Sequence, residues 1–163
     1  GHPDLILAAK ILKDEEVSFQ LLIIGEGPER PHLEYMIRDL QLTAHVHLLG
    51  RKPHEEIKTY LSRADFMVLS SLMEGFPNVL GEAMMAGVPI ISTDCKGMRE
   101  ILGDDHKSVL VPTGSPTDMA NKIMSLMNRE KNIIKTLIKY NKELARKHFY
   151  PEVHADSFNQ FLI

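Results

Sequence analysis

The sequence predicts an α/β protein built on a doubly wound parallel sheet. Two observations carry the prediction: short apolar runs of strand length alternate with amphipathic segments of helix length, and prolines stand at or near several of the helix starts. In chain order, a helix over Pro3–Glu15 comes first and an apolar strand over Ser18–Ile24 follows it. A helix over Pro28–Leu40 leads to a strand at Val46–Leu49, and a helix over Pro53–Ala64 leads to a strand at Phe66–Ser71. Gly75 and Pro77 bar any helix from running through the next stretch, so the fourth helix begins near Asn78 and reaches Ala86. A strand at Pro89–Ser92, a short helix at Met98–Leu102 and a strand at Ser108–Val111 complete the alternation. Beyond Pro112 the pattern is helical: Met119, Ile123, Met124 and Met127 recur along Pro116–Asn128, and helices continue to about Lys147 and again over Pro151–Phe161.

With 163 residues the chain fits a single domain, residues 1–163, able to bury a substantial core. Its 44% hydrophobic and 25% charged residues and net charge of −3 lack the basic excess of a nucleic-acid binder, so no nucleic-acid partner is expected. The apolar runs Leu21-Leu-Ile-Ile24 and Val88-Pro-Ile-Ile91 are far too short to span a bilayer, and no signal-peptide pattern opens the sequence. Cys95 is the one cysteine, which rules out an intramolecular disulfide. A cytoplasmic location is the expectation. Lys131, Lys135, Lys139, Lys142 and Arg146 fall on one helical stripe, which suits either a solvated face or a peripheral contact with an anionic inner membrane face.

The stretch with most chemistry in it is Glu74-Gly-Phe-Pro-Asn-Val-Leu-Gly-Glu82, two carboxylates flanking a loop-to-helix junction after an apolar strand. Helix N-termini leave backbone N–H groups unpaired, so with Asn78 as N-cap, Asn78, Val79 and Leu80 offer donors to a phosphate. A carboxylate suits a vicinal diol, which fits Glu82 to a ribose and Glu74 to a second sugar. The plainer reading of the same residues is an acidic first turn after an ordinary turn and cap.

Gly25-Glu-Gly-Pro28, Val46-His-Leu-Leu-Gly50, Ala64-Asp65, the long run Ser71-Leu-Met-Glu-Gly-Phe-Pro-Asn-Val-Leu-Gly-Glu-Ala-Met-Met-Ala-Gly-Val-Pro-Ile-Ile-Ser-Thr-Asp94 and Val109-Leu-Val-Pro112 resemble, in order and spacing, the C-terminal domain of retaining glycosyltransferase family 4. The resemblance covers essentially the whole chain. It implies the GT-B fold, in which this Rossmann-like domain binds the nucleotide-diphosphate sugar and a separate N-terminal domain binds the acceptor. Carried over residue by residue, it implies that Glu74, taken as the catalytic-site carboxylate, and the backbone of Gly75, Phe76 and Pro77 hold the donor hexose. Asn78, Val79 and Leu80 would then meet the diphosphate, Glu82 the ribose hydroxyls, and Arg51 and Lys52 the base. Gly25 and Gly27 fit a turn where a side chain would intrude on the donor pocket, although a lone Gly-x-Gly is equally plain turn chemistry.

The implied reaction is retaining transfer of a hexosyl group, from a UDP-sugar as the expected donor, to a glycan or lipid-linked acceptor of polysaccharide biosynthesis. No separate cofactor is expected. Asp104 and Asp105 are adjacent and the eight His residues are scattered, so no metal site is implied. The competing readings are another GT-B enzyme such as a sugar-nucleotide epimerase, and a nucleotide-sugar-binding module without transfer activity. A phosphoacceptor receiver domain is set aside because Asp65 precedes its strand.

Several features depart from the family pattern. The family's Arg and Lys that bind the diphosphate come just before the position of Gly1 and are not in this sequence, Ser70 replaces a common Pro, Cys95-Lys96 stands where small residues are usual, and Gly81 sits inside a helix. A doubly wound sheet runs in the order 3-2-1-4-5-6, and Gly1-His-Pro3 falls at the helix after the first strand. The sheet is therefore expected to lack its first, central strand, leaving a slot to be filled by another segment or chain, and the fragment alone is expected to be inactive.

Overall fold

The computed structural model describes residues 1–75, 77–102, 109–129 and 131–149. Helix α1 (His2–Asp14) carries Pro3 in its first turn, where a missing N–H leaves no bond unmade. Strand β1 (Leu21–Ile24) is shorter than predicted because its parallel partner β2 (Val46–Gly50) begins opposite Leu21. The residues just before it are held by side chains: the Phe19 and His45 rings stack with centroids 5.0 Å apart. Helices α2 (Arg30–Asp39) and α3 (His54–Arg63) lie where expected, the latter with Pro53 at its N-cap. Strand β3 (Met67–Leu69), helix α4 (Asn78–Ala86), strand β4 (Ile90–Thr93), helix α5 (Met98–Leu102) and strand β5 (Leu110–Val111) continue the alternation. Helices α6 (Pro116–Met127) and α7 (Lys131–His148) end the described part. The predicted Pro151–Phe161 helix and the first residue of the Ser108–Val111 strand lie outside the described residues.

Side-chain alternation along the strands puts helices on both faces. Val68 of β3 and Val111 of β5 pack with α1 and α6, in a cluster with Leu5, Ala8, Leu12, Met119 and Ala120. Their neighbours Met67, Leu69 and Leu110 pack the other way, against a cluster built on Leu80, Met84, Met98, Leu102 and Ala145 of α4, α5 and α7. A third cluster joins Ile6 and Ala9 of α1 to Leu33 and Ile37 of α2 over Ile23 and Val46. This is the doubly wound arrangement.

The sheet is interrupted where the sequence places the missing strand. Among the described residues β1 pairs with β2, and β3 with β4 and β4 with β5, as two separate parallel ladders. In the 3-2-1-4-5-6 order these are strands 3-2 and 4-5-6. Leu21 and Val68, one from each ladder, pack against the same cluster beneath the gap. At its mouth, a Cβ on Gly1 would run into the Ser70 carbonyl.

One member of the basic stripe on α7 serves a different purpose. Helix α4 ends on Gly87 at φ +78, with Gly87 N donating to Met84 O at 3.2 Å and Val88 N to Ala83 O at 3.0 Å. Lys142 Nζ would stand 3.3 Å from a Cβ on Gly87, so this ammonium sits at the negative end of α4. Lys135, Lys139 and Arg146 remain exposed.

Candidate functional site

Every ladder is parallel, so the strands of each open their C-terminal ends on one edge, which is where doubly wound sheets take ligands. His54, the first residue of α3, has its Nδ1 3.8 Å from Glu82 Oε1 in α4, so the exits of β2 and β3 meet at the same edge. Glu82 is largely enclosed there, with a side chain 18% exposed.

At the exit of β1, Gly25 adopts φ +142, a conformation closed to other residues, and its N–H donates to Gly50 O at 3.0 Å. A Cβ on Gly25 or Gly27 would meet no atom within 4 Å, so these turns border open space. Gly50, at φ +71, is pressed by the carboxylate between them: Glu26 Oε1 would lie 2.8 Å from a Cβ at that position. Arg30 fixes this carboxylate, donating from Nη1 to Glu26 at 3.0 Å while its Nε reaches Glu34 at 2.9 Å and its Nη2 reaches Leu48 O at 3.3 Å. Next to Gly50, Arg51 is exposed, whereas Lys52 is turned onto α3 and bonds Glu56 at 3.2 Å. The hydrogen bond and charge of Glu56, with a smaller contribution from Tyr60, hold the Lys52 ammonium above the usual lysine range.

At the exit of β3, the Ser71 hydroxyl donates to Glu74 Oε1 at 2.5 Å. Behind this loop stands the β4–α5 turn, where Gly97 adopts φ +92 and a Cβ would come within 2.8 Å of Glu74 O and 3.1 Å of Gly75 O. The turn itself, Asp94 to Gly97 with Arg99, lines a shallow depression, closed on one side by the Arg99–Asp94 ion pair. Phe76 lies outside the described residues.

The start of α4 differs from expectation in one respect. Pro77, buried, takes the N-cap position at φ −73 and ψ 106, and Asn78 is the first helical residue with no side-chain cap bond. The proline ring fixes the φ that the entry needs, which moves the cap one residue upstream. Leu80, fully buried, gives its N–H to Pro77 O at 3.0 Å. The N–H groups of Asn78 and Val79 are therefore the two left without a backbone partner among the described residues.

Glu74, Gly75 and Pro77 thus share the loop that enters α4, Asn78 and Val79 open that helix, Glu82 follows one turn on, and Gly25, Gly27 and Arg51 line neighbouring loops. Sequence reasoning passed over Ser71, Thr93 and Gly97, which shape the Glu74 loop, and Glu26 with Arg30. All five lie in quoted motifs or beside them; for Ser71, Thr93 and Gly97 the signal available was a hydroxyl or glycine at a strand exit, and for Glu26 and Arg30 an acid and a base four residues apart. Among the described residues no group of three or more His, Cys, Asp or Glu is placed to hold a metal ion, and no helix is long and apolar enough to cross a membrane.

Residues 1–144 match the glycosyl transferases group 1 family. An uncharacterized glycosyltransferase of Methanocaldococcus jannaschii is 32% identical over 133 residues, covering 82% of this chain and 37% of the relative. The amylovoran biosynthesis glycosyltransferase AmsK of Erwinia amylovora is 35% identical over 139 residues, covering 82% of this chain and 34% of that protein. The chain therefore spans about a third of the length of these relatives. In fold it is similar to the Anabaena protein HepE, solved in complex with UDP and glucose, at a TM-score of 0.78 and 22% identity over 99% of this chain and 43% of that one.

Proposed function

The chain belongs to the glycosyl transferases group 1 family, and on that premise we propose that it is the donor-binding part of a retaining glycosyltransferase that takes a UDP-sugar and passes the hexosyl group to a glycan or lipid-linked acceptor. One observation carries the reading: two helix N–H groups, on Asn78 and Val79, have no backbone partner among the described residues and stand in sequence between the carboxylates of Glu74 and Glu82 at the carboxyl edge of the sheet. Such N–H groups suit a diphosphate, and the flanking carboxylates suit hydroxyls on either side of it. HepE, of the same fold, was solved with UDP, which fits a uridine nucleotide here.

In this reading Glu82 takes the ribose hydroxyls, Asn78 and Val79 the diphosphate, Glu74 and Gly75 the hexose, and Arg51 the base. Leu80 contributes by closing the first turn, since its N–H is already used. During transfer the bond from the anomeric carbon to the diphosphate oxygen breaks with its electron pair on the diphosphate, and the acceptor hydroxyl oxygen bonds the same face of the sugar while its proton passes to the departing diphosphate oxygen. The aligned N–H groups stabilise the leaving charge as it develops. The acceptor is bound by a part of the polypeptide outside these residues.

The test is calorimetry of the full polypeptide with UDP, GDP and ADP, followed by UDP-glucose, UDP-galactose and UDP-N-acetylglucosamine. Saturable binding of UDP and of one UDP-sugar is expected. Failure to bind any of the six would end the reading.

A further inference from the structure

We propose, resting on the donor-binding reading above, that Thr93 and Ser71 are positioning residues that set the Glu74 carboxylate for the donor sugar. Thr93 is the last residue of β4 and is buried, and its hydroxyl leaves its own strand. Thr93 Oγ1 reaches across to the loop leaving β3 and lies 2.5 Å from Ser71 O and 3.4 Å from Leu69 O. A hydroxyl has one proton to donate, and the shorter contact to Ser71 takes it. The Ser71 hydroxyl in turn donates to Glu74 Oε1 at 2.5 Å. Glu74 Oε2 makes no hydrogen bond among the described residues, so one carboxylate oxygen is anchored and the other is offered.

A second, independent restraint acts on the same residue from behind. Gly97 leaves no room between the β4–α5 turn and the loop, its missing Cβ being replaced by the carbonyls of Glu74 and Gly75. Backbone and side chain of Glu74 are therefore held from two directions, both originating at the end of β4. Satisfying a buried hydroxyl explains why Thr93 has a partner, but it does not explain why the chain continues through Ser71 to a carboxylate. Sites held this way keep the geometry that transfer needs, and loosening by a fraction of an ångström is felt in turnover before it is felt in binding.

The experiment uses the full polypeptide with Ser71→Ala, Thr93→Val and Thr93→Ser. Two quantities are measured: the affinity for UDP, and the rate of UDP release from UDP-glucose, UDP-galactose and UDP-N-acetylglucosamine with water as acceptor. The expectation is a fall in kcat of about tenfold or more for Ser71→Ala and Thr93→Val. UDP affinity should stay within about twofold in all three, because the relay touches the sugar end and not the nucleotide end. Thr93→Ser keeps the donor hydroxyl and should restore most of the rate. Unchanged kcat, a loss of UDP affinity in step with the rate, or a Thr93→Ser variant as slow as Thr93→Val would each overturn the relay while leaving donor binding intact. UDP binding by the unsubstituted protein with no turnover of any of the three donors also overturns it. Absence of UDP binding in the unsubstituted protein removes the donor reading and the relay together.

Discussion

The ring of Phe149, just past the end of α7, lies on Gly81 in the middle of α4, so that a Cβ on Gly81 would come within 2.6 Å of both Cγ and Cδ1. Glycine inside a helix costs about 1 kcal/mol relative to alanine. Here it makes room for the ring, which packs partly buried against a cluster containing Leu80, Met84 and Ala145. Gly81→Ala should therefore destabilise the domain by ~1–3 kcal/mol, as overpacking does, in place of the gain that helix propensity alone predicts. Urea unfolding decides between the two. A more stable alanine variant would mean that the ring moves aside freely.

Arg99 grips Asp94 with two bonds, Nε to Oδ1 at 2.6 Å and Nη2 to Oδ2. The hydrogen bonding from Arg99 is the larger cause that holds the Asp94 carboxyl below its ordinary value of 3.8, with partial burial opposing and the Arg99 charge assisting. A depressed folded-state value means that this pair contributes stability above pH 3.8, and that the contribution is lost as pH falls through the folded value. Arg99 is well exposed, so the contribution is small and screened by salt. In Arg99→Gln, carbon NMR of the carboxyl should show Asp94 titrating closer to 3.8. An unmoved titration would assign the depression to something other than Arg99.

For the donor site, Glu82→Ala in the full polypeptide should weaken binding of free UDP, since a hydrogen bond to a charged acceptor contributes roughly 1.5–3 kcal/mol. Glu74→Ala should leave UDP affinity nearly intact and reduce transfer instead. Calorimetry separates the two roles. If Glu82→Ala binds UDP as tightly as the parent, the ribose assignment is wrong.

Donor binding is expected to proceed without a divalent cation, because in the proposed reading the N–H groups of Asn78 and Val79 meet the diphosphate directly. Titrating UDP in excess EDTA checks this. Loss of affinity that magnesium or manganese restores would overturn it.

What could be read in the sequence was local. Pro3, Pro53 and Pro116 sit at helix starts in the structure as their missing N–H groups predict, and the motif residues lie on the loops at the strand exits and in the first turns of α4. Strand lengths were not legible, because β1 and β3 begin only where their ladder partners begin, Leu21 opposite Val46 and Met67 opposite Ile90. The cap of α4 was misread by one position because Asn is the better capping side chain, whereas here the φ fixed by Pro77 decides the entry. The contacts that shape the site join distant positions: Thr93 to Ser71, Gly97 to Glu74, Phe149 to Gly81, Lys142 to Gly87. No spacing rule links such pairs, since each depends on which strands and helices become neighbours.

The interrupted sheet yields the last prediction. Leu21 N donates to His45 O and Met67 N donates to Pro89 O, so Leu21 and Met67 direct their amides into the existing ladders. Backbone groups alternate sides along a parallel strand, which turns the N–H groups of Leu22 and Val68 toward the gap between β1 and β3. Unpaired backbone groups beside a buried cluster are costly, and both edges here run over Leu21 and Val68, which share one. A further parallel strand, from upstream of Gly1 or from another chain, is therefore expected to fill the slot and enter α1 past the Ser70 carbonyl. Hydrogen exchange tests this on residues 1–163 alone and on the full polypeptide. The amides of Leu22 and Val68 should become at least about tenfold better protected in the longer protein, while those of Leu21 and Met67 change less. Equal protection of Leu22 and Val68 in both, or a direct ladder between β1 and β3 in the full polypeptide, would show that no strand belongs there.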